Sequence, residues 1–412
     1  MSGCSKRRYE MGRGVSRNDG WAARLHPGLR GVAYSGLNWD FCHGKLNGEY
    51  GGVTMKKVAV LAVMAAVSVA CLGQAGPYKV LQTVKTGGDG GFDYVYADSV
   101  GRRLYVPRSG TTGKIMVFDL DTLAPVGEIP NASGHGVAVD DRTGHGFLSS
   151  KPVTMFVAKT PVLPPGTVST VGLVPAQPLP GAAALTTIKT VDVQGGPDGI
   201  LGNQGSGQIY ILSHSSPNLT VLDARDGAIA GSADLGGAPE QAVLDYKGRM
   251  YVDLEDKGSI VVVDTGSLKV VATYELGGTG GECAGLAMDT VNMVLFAACR
   301  NPQTMVAVSA VDGKILATLP IGAGVDGAVF NPATMEVFAS AGDGTLTVVK
   351  EDSPTSFSVE QTVTTVPRAK TLTLDAKTGK VYLIAAEFGP PAAGQKRGAM
   401  VPGTFEILVV GK

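Results

Sequence analysis

The chain has 412 residues and a formal charge of −1, from 35 Lys and Arg against 36 Asp and Glu. No basic excess is available to track a phosphate backbone, so nucleic acid is not an expected partner. Charged residues make up 17% and glycines number 58, which suits many short strands joined by tight turns.

Residues 1–54 hold Cys4, Cys42, Trp21 and Trp39 but no periodic apolar pattern. Residues 55–75 have the layout of a secretory signal peptide. Lys56 and Lys57 follow Met55, an apolar run extends from Val58 to Leu72, and Gly73 and Ala75 supply small residues before a cut after Ala75. The run is about 15 residues, short for a membrane span. Such a signal belongs at an N-terminus, so Met55 reads as the translation start and 1–54 as a translated upstream region. A disordered N-terminal extension is the alternative. An uncleaved anchor and a lipid-modified Cys71 are the other readings of the apolar segment. The expected mature protein is 76–412, exported to the periplasm, the cell surface or the medium, monomeric and without a transmembrane span.

From about residue 85 one pattern repeats: a glycine-rich turn, a short apolar strand ending in Asp or Asn, a turn, and a second apolar strand. Aligned on the Asp or Asn, the copies are marked by Asp98, Asp140, Asn203, Asp245, Asp289, Asn331 and Asp375. A period of roughly 40–45 residues, all strand, means propeller blades. Seven marks predict an all-β, seven-bladed β-propeller with four-stranded antiparallel blades. The last blade lacks a fourth strand after Thr404–Val410, while a spare strand, Tyr78–Val84, precedes the first blade. Pairing the two closes the ring and leaves no open edge. Two stretches break the period. Pro161–Ala184 holds six prolines and reads as an insertion loop in blade 2. Glu387–Gly403 lengthens the loop after the second strand of blade 7, as either a binding element or a disordered segment.

The repeat serves as a ruler. Five residues before each mark stand Asp93, His135, Asp198, Glu240, Ala284, Asp326 and Lys370. In blade 5, where the position is Ala284, Glu282 lies two residues earlier and is expected to face the same way. The first strand of a propeller blade lines the central channel, so these residues predict an ionisable ring at one mouth. The loops leaving the second strands open on that face and add a collar of Arg108, Lys151, His214, Glu255 and Arg300. A solvated rim is the bland reading. The functional reading is a site for a small polar ligand or an envelope protein. Carboxylates converging with a histidine also suit a divalent cation, with Asp198, Glu240, His135 and Asp93 as candidate ligands. That would make the alternative a metal-dependent hydrolase or lactonase.

Other chemistry is disfavoured. Five His with no His-x-x-x-His or Cys-x-x-Cys spacing argue against structural zinc. The turn Gly87-Gly88-Asp89-Gly90-Gly91 precedes a strand and lacks Lys-Ser/Thr, so it is not a phosphate loop. No organic cofactor is expected, and no catalytic residue is assigned. Cys283 and Cys299 are the cysteines left after signal removal. A hairpin register pairing Met288 with Val294 puts them directly opposite, within disulfide reach in an oxidising compartment. A ladder slipped by one residue would put them on opposite faces. Two buried thiols are the alternative.

Repeats of the Arg103-Leu104-Tyr105-Val106-Pro107 and Ile260-Val261-Val262-Val263-Asp264 type resemble the YVTN-type β-propeller family, also called YncE-like or surface-layer-type propellers. The resemblance covers about 78–412. It implies a propeller fold, export, and binding or scaffolding rather than an assigned catalysis.

Overall fold

The structure is a computed structural model, and it describes residues 76–158, 185–216, 218–391, 394 and 398–412. The signal segment, Cys71, the upstream region and the insertion expected at 161–184 lie outside the described residues. Seven four-stranded antiparallel sheets form the blades of a propeller. Among the described residues, no helix is long and apolar enough to cross a membrane.

The Asp or Asn that recurs in the sequence is a turn-former in every blade. Each of these side chains accepts a backbone N–H two or three residues on, from Gly101, Thr143, Gly205, Lys247, Val291, Ala333 and Lys377 in turn. The hairpin between the first two strands is thereby fixed locally. Six of the seven turns close through a left-handed residue four positions after the mark. It is Gly in blades 2, 3 and 7 and Arg102, Met293 and Met335 in the others.

The core is a circle of apolar seams between neighbouring blades, and the aromatic of the second strand is its recurrent piece. Tyr105, Tyr251 and Tyr382 are buried, and each hydroxyl donates to a carbonyl of the following blade: Ala158, Ala310 and Leu120. A buried phenol needs such a partner. In blades 2, 5 and 6 Phe147, Phe296 and Phe338 take the place, with no hydroxyl to satisfy. The blades therefore pack on Tyr and Phe.

Closure of the ring follows the sequence expectation. The strand Lys79–Lys85 pairs with Glu406–Gly411, so blade 7 consists of this N-terminal strand and three C-terminal ones. Tyr78 ties the same segment to blade 6. Its N–H donates to Gln361 Oε1 at 3.0 Å, Gln361 returns a bond to the Tyr78 carbonyl at 2.7 Å, and its hydroxyl donates to Glu336. The loop begun at Glu387 is pinned at its base by a Phe388–Met400 bridge, and Arg368 lies over the Phe388 ring at 4.3 Å.

Cys283 and Cys299 are joined by a disulfide. The register differs from expectation: Met288 pairs with Leu295, not Val294. A bulge between Cys283 and Gly285 adds one residue to the first strand and brings the cysteines back into opposition.

Candidate functional site

At one mouth of the channel lies a cavity of about 490 Å³, lined by Asp93, His135, Gly196, Pro197, Asp198, His214, Glu240, Glu255, Arg300, Asp326 and Lys370. Every blade contributes. All six ionisable residues at the position five before the mark are there, together with His214, Glu255 and Arg300 of the collar.

Three candidates are elsewhere. Arg108 is fully buried at the junction of blades 7 and 1, with its guanidinium 3.9 Å from the Phe405 ring centroid and bonded to the Gly90 carbonyl at 2.9 Å. Burial lowers its pKa to about 10. Lys151 is exposed and donates to the Gly195 carbonyl at 2.9 Å. Glu282 is exposed with a left-handed φ of 50°, just before the bulge at Ala284. The bulge breaks the alternation that would have turned Glu282 inward, so blade 5 reaches the funnel through Arg300 alone.

The ring is anchored through its backbone. Ser149 of blade 2 donates to the Asp198 carbonyl of blade 3. Ser340 of blade 6 donates to the Lys370 carbonyl of blade 7, and Thr371 of blade 7 donates to the Asp93 carbonyl of blade 1, each at 2.6 Å. Each hydroxyl fixes the ring residue of the next blade, which restricts where the charged side chain can reach. Beneath the ring, the Gln241 amide crosses from blade 4. Its oxygen accepts from Leu286 N at 3.0 Å and Ala328 N at 3.2 Å, and its nitrogen donates to the Ala328 carbonyl at 3.1 Å.

The charges are sorted. On one side Arg300 pairs with Glu255 and Asp326, and Lys370 pairs with Asp326. On the other, His135 Nδ1 lies 3.1 Å from Asp93 and 3.2 Å from Asp198 Oδ1, while His214 Nε2 lies 3.4 Å from Asp198 Oδ2 and 3.6 Å from Glu240 Oε1. Asp198 stands between the two imidazoles. Burial, and then the nearby Asp93 charge, push its carboxyl up, against the two histidines. Burial, and then Glu255 and Asp198, raise Glu240 to about 9, and Glu255 is lowered. The hydrogen bond to Asp93 raises His135. Tyr94, whose hydroxyl is 3.4 Å from Glu240 Oε2, is raised by burial and then by Asp198, Glu240 and Asp93.

Sequence reasoning missed Tyr94, Gln241, Asp253 and the three hydroxyl anchors. A signal existed for some of them. The Ser149 and Asp253 side chains each accept the N–H of the residue four before a mark, and Ser340 is the ladder partner of the equivalent Gly327, all from the end of the second strand. A polar residue at the end of an otherwise apolar strand was legible, but its partner was not.

Comparison with solved structures bears out the architecture. The chain superposes on the WD40 repeats of RRP9 with a TM-score of 0.61 at 9% identity, covering 82% of this chain and 99% of that one. It superposes on U3-55K with a TM-score of 0.60 at 10% identity and the same coverage. It is a seven-bladed β-propeller. At this identity the likeness concerns the fold alone, since one fold hosts many functions. No protein-family model matches the sequence. No curated protein matches it either.

Proposed function

We propose that the protein is an exported propeller of the YncE-like kind that binds a small hydrophilic ligand in this funnel. The observation that carries the reading is the lining itself: nine of its eleven residues are ionisable, and the other two are Gly196 and Pro197. Apolar or aromatic walls, the usual source of affinity for greasy ligands, are missing from that set. The charges are held in place by hydroxyl anchors and by one another, so little ordering is required on binding. Export is supported by the signal-like segment at 55–75 and by the disulfide between Cys283 and Cys299.

The test is a thermal-shift screen of hydrophilic small molecules against the wild type and Arg300→Gln. The expected result is a concentration-dependent stabilisation by one ligand class that the variant loses. A wild type that no hydrophilic compound stabilises would sink the reading. N-terminal sequencing of the protein recovered outside the cytoplasm is expected to begin at Gly76. A hydrolytic activity in the same funnel requires a metal ion there and depends on the following test.

A further inference from the structure

We infer that Asp198, His214 and Glu240 form a site for one divalent transition-metal ion, Zn²⁺ fitting best, with His135 as a positioning residue behind Asp198. The inference rests on the funnel being a ligand site and specifies what its acidic side takes.

The donor spacing separates the two imidazoles. An N–H···O hydrogen bond spans about 2.7–3.2 Å. His135 meets Asp93 and Asp198 at 3.1 and 3.2 Å and is accounted for as an ordinary hydrogen-bonded ion pair. His214 does not fit that description, since its Nε2 is 3.4 Å from Asp198 Oδ2 and 3.6 Å from Glu240 Oε1. Two donors about 2.0–2.2 Å from a tetrahedral ion are themselves about 3.3–3.6 Å apart. The three donor atoms also lie within 4.8 Å of one another, so one ion can meet all three. Asp198 and Glu240 lie at the starts of the strands Pro197–Asn203 and Pro239–Leu244, and His214 follows the strand Gln208–Ser213, where its N–H donates to the Gly196 carbonyl at 3.3 Å.

The chemistry of the set selects the metal. One imidazole with two carboxylates is poor for Ca²⁺ or Mg²⁺, which prefer all-oxygen shells, and good for Zn²⁺ or Mn²⁺. Three protein ligands leave a coordination position open toward the cavity, where a small polar ligand would sit. His135 holds the other oxygen of Asp198, the arrangement by which an outer partner fixes a ligand carboxylate.

A second observation lies behind the cluster. Asp253, on the second strand of blade 4, is completely buried, and its Oδ2 has no hydrogen-bond partner among the described residues. Its other oxygen accepts from Gln241 N at 2.7 Å, next in the chain to Glu240. Burial raises this carboxyl well above the ordinary carboxylate range while Arg300 opposes the rise, and an ion held by Asp198 and Glu240 would add a second positive charge beside it.

The experiment is a titration of ZnCl₂ into chelator-treated, dialysed protein, with bound metal counted by mass spectrometry and the site read through the visible bands of Co²⁺. One ion per chain at micromolar affinity or tighter is expected. Asp198→Asn and His214→Gln should each weaken binding about 100-fold or more, and His135→Gln about 10-fold. Each variant should melt cooperatively in the chelator. If Asp198→Asn fails to fold, the His214→Gln and His135→Gln pair decides alone. No stoichiometric ion in the wild type overturns the inference, as does binding lost in His135→Gln but intact in His214→Gln. The ligand reading fails separately: hydrophilic compounds that stabilise the metal-free wild type through Arg300 would keep it alive without the ion, and an ion without any such compound would remove it.

Discussion

Cys283 is bonded to Cys299 across blade 5 because a single bulge at Ala284 corrects a ladder that otherwise runs one residue out of step. The bond ties the bulged start of the inner strand to the strand from which Arg300 projects into the funnel. It spans 16 residues, and a loop of that size corresponds to about 3 kcal/mol of stabilisation. The Cys283→Ser/Cys299→Ser double variant is expected to lose about that much in urea unfolding. Wild type treated with a reductant should fall to the same midpoint. A reductant effect that persists in the double variant would assign the loss to something else.

The N-terminal strand Lys79–Lys85 is the outer edge of blade 7, and Tyr78 beside it reaches blade 6. Deleting 76–86 leaves the strand Glu406–Gly411 with an open edge and removes the hydrogen bonds to Gln361 and Glu336. The expected outcome is loss of cooperativity across the whole propeller, seen as a broadened transition by circular dichroism, with aggregation. An unchanged single transition would mean that the ring does not need this strand.

Gln241 gives a sharper local test. Its oxygen receives the N–H groups of Leu286 and Ala328, both on buried residues. Gln241→Ala leaves two buried donors unsatisfied, at about 1–3 kcal/mol each. A total loss of about 2–5 kcal/mol in chemical denaturation is expected. At about pH 4 and below, where the new carboxyl is protonated, Gln241→Glu keeps the acceptor and can still donate to the Ala328 carbonyl, so there it should cost less. Equal losses would place the effect in packing instead.

The fold was legible because its signals are local and repeat. The side chain that accepts a backbone N–H two or three residues on is Asp or Asn in each copy, and Asp98 through Asp375 could be counted without knowing the structure. The ring was legible for the same reason, since an equivalent position in a repeat is an equivalent position in space. Failures came where geometry is not local. Arg108 occupies a collar position, but Phe405, almost 300 residues on, offers it a ring to cover. Glu282 has the right spacing for the funnel, but a bulge two residues later changes the count. His214 was read as collar, and only the structure places it across from Asp198 and Glu240.

Glu351 provides the clearest pH dependence. It is buried between blades 5 and 6 beside Asp289, with the Asn292 amide donating to it at 2.8 Å. Asp289 Oδ2 and Glu351 Oε2 are both buried without a hydrogen-bond partner among the described residues. One proton held between the two carboxyls would satisfy both. Burial first, and then Asp289, raise Glu351 from its ordinary value of 4.5 to about 7. The folded state therefore binds more protons than the unfolded chain between these values. Its contribution to stability is fully present below about pH 4.5 and is lost as the pH rises through 7. Glu351→Gln keeps a hydrogen-bonding group and removes the titration. The variant is expected to be the more stable protein at pH 8, and the difference should shrink or reverse toward pH 5. Urea midpoints of the two proteins across that range provide the check, and parallel curves would show that Glu351 does not carry the proton.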